Sequence, residues 1–505
     1  MVYIKSLKNQ QWLMPPSIEE LIPEDHICFL VESLVESTDY SSFDEKYSGP
    51  GHPAHHPRIL LKILIMGILD KIRSSRKLDR ATRENVVYMY LAEKLTPDFR
   101  TISDFRKDNA ELIVKLFKQT IVLARQLGAT NLTCLSTDGT SMKASASNRS
   151  TITKNEMKVL LEFVEGELLT WAQQDAIEDN QLDKIRGSEQ LPEASKKKIR
   201  AAVKHYFKKA KDDGDCAVSK IKQKLEIANK EMVENNLEKV SITDPESRFM
   251  PNKKKRIEFS YNTQLTTDTE GFVIACEVTQ DATDTNQLIS QVEQTEQNLV
   301  SLPSQLKWNA DKGYYSTENL EYMASKKIDF HMPTPKNKPG AYGIDKFIYN
   351  QDQNQFTCPG GSTLHFLSQR FDKSEGRHCL FYKTDACLSC KHQKECTQNK
   401  KGIRILKITP NPIIREEMKL KMMTDAAKET YRLRRQTVEP AIGDLKKHIG
   451  LDEFLLKGVK KADIELKLGC IARNLKRIWK KREMCKCETP SQANFYNAPC
   501  HILLS

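Results

Sequence analysis

The chain has 505 residues, a formal net charge of +12, 39% hydrophobic and 29% charged residues, too long for one simple core and pointing to about two to four structural units. No apolar run approaches the ~20 residues that span a bilayer, residues 1–17 lack the apolar stretch of a secretory signal, and 13 cysteines in so long a chain do not resemble a secreted disulfide scaffold. These features exclude a membrane span and a disulfide framework; the expectation is a cytoplasmic protein whose positive charge suits a polyanionic partner, nucleic acid or an acidic surface.

Residues 18–36 have helical apolar spacing, with Ile27, Leu30, Val31, Leu34 and Val35 on one side. A Gly-, Pro- and His-rich loop follows over 48–57. Its His52, His55 and His56 lack a neighbouring Cys or carboxylate at ligand spacing, and the prolines read as a stiff turn. Residues 58–72 form a predicted helix, and Arg73, Arg76, Lys77, Arg80 and Arg83 crowd the next segment before a short element at 101–107. Two readings stand for this region: a helix-turn-helix type of DNA reader, or a helical bundle with a solvated basic face. An amphipathic helix over 110–127 leads into the core.

Residues 132–143 read as a buried strand that stops at Asp138-Gly139-Thr140. An acid there serves either a turn or a reaction. The charged region 155–237 has one narrow stripe, Val218, Ile221, Leu225, Ala228 and Met232, and an earlier basic helix with Lys196, Lys197, Lys198, Arg200, Lys204, Lys208 and Lys209, so it reads as an inserted helical arm. Lys253-Lys254-Lys255-Arg256 reads as a solvated turn. The period then becomes two, at Ile257, Phe259 and Tyr261, with a turn at 268–271 and a return strand at 272–278. A helix over 285–300, a strand over 305–310 ending at Asp311, a helix over 318–327 and a strand over 328–332 complete a predicted mixed α/β sheet. Asp138 and Asp311 both fall at predicted strand ends, where sites form in open α/β sheets.

Between residues 342 and 405 the composition shifts to Gly, Lys and Cys. Cys358, Cys387, Cys390 and Cys396 offer four thiolates for a structural zinc in a loop-rich insert, with Cys379 as an alternate; free thiols are the competing reading, and Cys485, Cys487 and Cys500 are read that way. Residues 431–447 read as helix with Arg435, Glu439 and Lys446 on one side, either an ion-pair ladder or an acid flanked by phosphate-gripping cations. A last helix has the stripe Ile464, Leu468, Ile471, Leu475 and Ile478, with Arg473, Lys476, Arg477, Lys480 and Lys481 outside it as further DNA contacts.

Together these residues resemble the DDE transposases of bacterial insertion sequences, in the group with a helical N-terminal domain, an RNase H-like core and a Cys-rich insert. The resemblance rests on Ser136-Thr137-Asp138-Gly139-Thr140, Asp244-Pro245-Glu246-Ser247-Arg248, Tyr261-Asn262-Thr263-Gln264, Ala310-Asp311-Lys312-Gly313-Tyr314, and the helix with Tyr431, Arg435, Glu439 and Lys446. It reaches from about His26 to Trp479. Two departures stand out. Tyr431 is one place further from Arg435 than in the family's signature, so that Arg434 fits the spacing to Tyr431 but not that to Glu439. Pro440 also follows Glu439 directly, which disfavours α geometry there.

The resemblance implies a helical, DNA-binding N-terminal domain (1–128), an RNase H-like DDE catalytic domain (129–482) with a helical insertion (150–250) and a Cys-rich insertion (340–405), and a tail (483–505). It implies that Asp138, Asp311 and Glu439 bind two Mg²⁺ or Mn²⁺ ions, hard cations suited to carboxylates. The activity implied is cleavage at the element's ends and strand transfer into target DNA. Arg435, Lys446, Arg73, Arg76 and Lys77 would meet phosphates of double-stranded DNA, with a homodimer in the active, nucleoid-associated complex. A decayed transposase that only binds DNA and a metal-dependent nuclease without strand transfer are the alternatives.

Overall fold

The computed structural model describes residues 16–41, 43, 54–147, 150–172, 182, 185–251, 256–334, 342–372, 377–397, 399–408 and 411–487. His52, Lys253, Lys254, Lys255 and Cys500 lie outside these, as do the side chains of Cys485 and Cys487.

The N-terminal region is helical: α1 (Ile27–Glu36), α2 (Pro57–Leu69), α3 (Ser75–Glu84), α4 (Val86–Leu91), α5 (Phe99–Asp108) and α6 (Ala110–Gln126). Pro57 opens α2, where its missing N–H costs nothing, and His56 Nδ1 accepts the Arg58 N–H at 3.2 Å. His56, in the loop read as a stiff turn, is thus a helix cap. Lys62 on α2 is fully buried, with Glu36 at 2.9 Å and Glu93 at 3.0 Å supplying the countercharge. One side of α2 joins α3, α4 and α5 around Leu60, Ile63, Leu64, Leu78, Tyr88 and Ile102. Its other side joins α1 and α6 in the main core, so the helical region is continuous with the sheet's own interior.

The central sheet contains β1 (Cys134–Lys143), β4 (Arg248–Pro251), β5 (Ile257–Thr267), β6 (Val273–Thr279), β7 (Lys307–Ala310) and β8 (Asp329–His331). β1 is its middle strand, antiparallel to β5 and parallel to β7, which is parallel to β8; β6 and β4 pair with successive halves of β5's other edge. This mixed sheet is the α/β core expected, consistent with an RNase H-like arrangement. One expectation fails: β1 does not stop at Asp138. It continues to Lys143, because residues 138–143 remain paired with β5 after β7 has ended.

Helix α7 (Lys154–Gly166), α8 (Leu168–Ala172) and α9 (Glu193–Glu234) form the inserted arm between β2 (Thr151–Thr153) and β3 (Lys239–Ser241). The predicted stripe from Val218 to Met232 is buried within the arm's separate core. At Gly214, φ 58° and ψ −143° break α9 into two helices, a conformation open to glycine.

The Cys-rich insert is not loop-built. β9 (Ile348–Asn350), β10 (Gln355–Thr357), β11 (Thr363–Asp372), β12 (Arg377–Lys383) and β13 (Ile405–Ile408) form an antiparallel sheet over Phe347, Phe356, Leu364, Tyr382, Leu406 and Ile408. Short strands with aromatic cross-packing escaped the compositional reading.

The insert also holds the four-residue α10 (Gln393–Cys396), and after it come α11 (Pro412–Met423), α12 (Asp425–Lys447) and α13 (Val459–Cys487). α12 passes unbroken through Pro440, contrary to expectation, since Val438, Ala441, Ile442 and Leu445 bury one face and offset the lost amide. The predicted α13 stripe is buried against α6 and β6. There Asn474 Oδ1 accepts the Val273 N–H at 2.9 Å while its Nδ2 donates to Val273 O and Thr120 Oγ1. Arg473 and Lys481 are not outer cations: Arg473 pairs with Asp444 and donates to Gly271 O, and Lys481 donates to Ala129 O and Glu270.

Candidate active site

Thr137 of β1 pairs with Ala310 of β7 in parallel register, and the residue that follows each of them is an aspartate. The pair beneath is fixed by Thr137 Oγ1, which meets Thr266 Oγ1 at 2.8 Å and accepts from Trp308 Nε1 at 2.8 Å. Asp138 is 8% exposed and its Oδ1 accepts the Gly139 N–H at 3.1 Å. Asp311 is more open and accepts the Lys312 N–H at 2.7 Å.

Glu439 reaches the same region from α12. Lys446 donates to Thr140 Oγ1 and Ser141 O, both at 2.7 Å, and so straps that helix to β1. Between the strand acid and the helix acid stands Arg434: its Nη1 is 3.1 Å from Asp138 Oδ2 and its Nη2 3.1 Å from Glu439 Oε1. Burial opposes the guanidinium charge, but Asp138, and after it Tyr431, Asp311 and Glu439, hold the pKa above its ordinary value. Arg434 also lies over the Tyr431 ring at 5.7 Å. The signature's closer spacing thus finds the paired arginine, whereas Arg435 is exposed to solvent.

The sequence reading also passed over Tyr314 and Asp284. Tyr314 is fully buried, and burial, then the charges of Asp284 and Asp138, push its pKa far up. Its hydroxyl donates to Gln264 Oε1. Asp284 lies in the loop after β6, and only its spatial neighbours mark it out.

The other expected DNA contacts divide. Arg73 donates to the carbonyls of Gly450 and Glu453 and stands 3.6 Å from Glu465; it is a strut between α2's end and α13, a correction to its assignment as a phosphate ligand. Arg76 and Lys77 are exposed on α3, Arg76 over Phe99 at 5.2 Å. The 244–248 motif is also scaffolding. Asp244 Oδ1 accepts from Tyr261 and the Gly458 N–H, and Glu246 Oε2 accepts the Val459 N–H at 2.8 Å, so both acids cap the start of α13.

Cys358, Cys387, Cys390 and Cys396 line one small cavity with His392, and Cys358 Sγ accepts the Ser362 N–H at 3.3 Å. Cys379 is buried on β12 and does not line it. Among the described residues, no three His, Cys, Asp or Glu side chains stand together closely enough to hold a metal ion, here or around Asp138. The chemistry of each donor set still matches its expected cation: hard carboxylates for Mg²⁺, soft thiols for Zn²⁺.

A family model described as "Transposase DDE domain" matches residues 357–479, which carry β11 to β13 of the insert, Glu439 and most of α13. A second, described as "Transposase domain (DUF772)", matches residues 16–108, the N-terminal helices. No curated protein matches the chain. Both matched models describe transposase domains, and with the mixed sheet between the two matched regions they indicate a DDE transposase of the insertion-sequence type. Among the described residues no helix is long and apolar enough to cross a membrane.

Proposed function

We propose that this transposase cuts DNA at the ends of an insertion sequence and joins the freed ends to target DNA. The observation that carries this reading is the Thr137–Ala310 register, which sets Asp138 beside Asp311 at the point where β7 ends. Asp138, Asp311 and Glu439 are the residues that would hold Mg²⁺ or Mn²⁺. Such a metal pair supplies an activated attacking oxygen and a stabilised leaving oxygen for in-line displacement at phosphorus.

The chain's own residues prepare that site. β1 and β7 fix the two aspartates on rigid backbone. Arg434 sets one positive charge between Asp138 and Glu439, and Lys446 ties α12 to β1. Exposed Arg435, Arg76 and Lys77 are the phosphate contacts in this reading, with a homodimer bringing two element ends together. Cys358, Cys387, Cys390 and Cys396 are the residues that would hold a structural zinc in the insert.

A DNA-binding protein without chemistry is favoured by one observation, the Arg434 guanidinium between Asp138 and Glu439. Incubating the protein and Mg²⁺ with duplexes carrying the element's ends decides between them. Cut strands covalently joined to a second DNA support transposition, cut strands alone support a nuclease, and intact DNA supports binding only.

A further inference from the structure

Asp284 sits where three segments of the site meet: β5, the β1 overhang and the turn after β7. Its Oδ1 accepts from Asn262 Nδ2 at 2.8 Å and Gln264 Nε2 at 2.7 Å. Those donors lie on β5 opposite Ser141 and Gly139. A Cβ at Gly139 would stand 2.2 Å from Asp284 Oδ1, and one at Gly313 3.2 Å from Oδ2. The neighbouring Thr285 donates its hydroxyl to Gly313 O at 3.1 Å, and Asn319 Nδ2 ties Thr285 O to Tyr314 O. The carboxylate is therefore packed between the residue after Asp138 and the second residue after Asp311.

We propose that Asp284 is a positioning residue that fixes the separation of Asp138 and Asp311, a role that rests on reading those two as the catalytic acids. Two like charges side by side repel, so their spacing needs support from outside the pair. A carboxylate suits this place because one oxygen takes two amide donors while its flank lies against two glycines. An amide at 284 keeps one oxygen for those donors but removes the negative charge that strengthens both bonds, and it puts an NH2 group in place of Oδ2 beside Gly313. The Tyr314–Gln264 bond extends the support to the turn that carries Asp311.

The test uses full-length wild type, D138N, D284N, D284A, G139A and the G139A/D284A double variant. It measures Mg²⁺-dependent cutting of end-bearing duplexes, metal-free DNA binding, melting temperature, and binding of Mn²⁺ alone by electron paramagnetic resonance. If D138N still cuts, the catalytic reading falls and this role with it. With D138N inactive, D284N and D284A are expected to cut roughly 10- to 100-fold more slowly and to bind Mn²⁺ about tenfold more weakly, with DNA binding and melting near wild type. G139A is expected to be as harmful as D284A, and the double variant no worse than G139A alone, because both break one contact. Wild-type rates in D284N, activity loss that follows melting temperature while Mn²⁺ affinity holds, or additive effects of G139A and D284A would each overturn the proposal.

Discussion

Arg434 Nη1 stands 3.1 Å from Asp138 Oδ2, yet makes no hydrogen bond there, so charge alone joins them. The same guanidinium reaches Glu439, so one cation stands between the strand acid and the helix acid. Replacing Arg434 by Ala leaves a buried Asp138 without this partner and is expected to destabilise the metal-free protein by about 3 kcal/mol. Added Mg²⁺ should then raise the melting temperature more in R434A than in wild type. Differential scanning fluorimetry with and without Mg²⁺ checks this; equal shifts would remove Arg434 from the charge balance.

In the proposed reading both aspartates hold metal, so both need an ionised oxygen. Asp138→Asn and Asp311→Asn are each expected to lower Mg²⁺-dependent cutting by at least roughly 10³-fold, the scale of several kcal/mol of charge stabilisation. Binding to end DNA without metal should remain within about threefold of wild type, as an electrophoretic mobility assay would show.

For the insert, the expectation is one zinc per chain by elemental analysis of protein purified without chelator. The pair C387S/C390S should lose that zinc and expose the segment 342–408 to limited proteolysis, since the aromatic core there is small. A metal-free wild type with a protected insert would leave the thiols simply reduced.

His331 supplies a pH test. Burial on β8, with Lys421 adding to the effect, lowers its pKa from 6.5 to about 4. The folded state therefore stays neutral while the unfolded chain takes up a proton between those values. Stability from this residue is complete above pH 6.5 and is lost as pH falls through the window toward 4, by up to about 3 kcal/mol. Melting temperature plotted against pH should fall less steeply from 6.5 to 4 in H331Q than in wild type.

Much of this was legible from residue pattern. The stripes Val218–Met232 and Ile464–Ile478 follow from helical period and are buried as expected. The adjacency of Asp138 and Asp311 followed from two strands each leading to an acid. What escaped depended on phase or on distant contacts. Arg434 and Arg435 differ by ~100° of helical rotation, and only packing decides which faces β1. Asp284 lies in a loop without periodicity, and its meaning comes from glycines far away in sequence. Arg73 has the composition of a DNA contact but is held by carbonyls of Gly450 and Glu453, partners that no local signal announces.

The three-residue strands β2 and β3, paired through Thr151–Ser241 and Thr153–Lys239, close the neck of the helical arm beside the sheet. For the growing fold this acts as a clasp. Once the arm has buried its own core and the clasp is shut, β1 and β5 are separated by a short effective loop instead of the whole arm, which lowers the entropic cost of their pairing. The arm can then vary in length or be exchanged as a cassette while the strand register that sets Asp138 beside Asp311 stays unchanged.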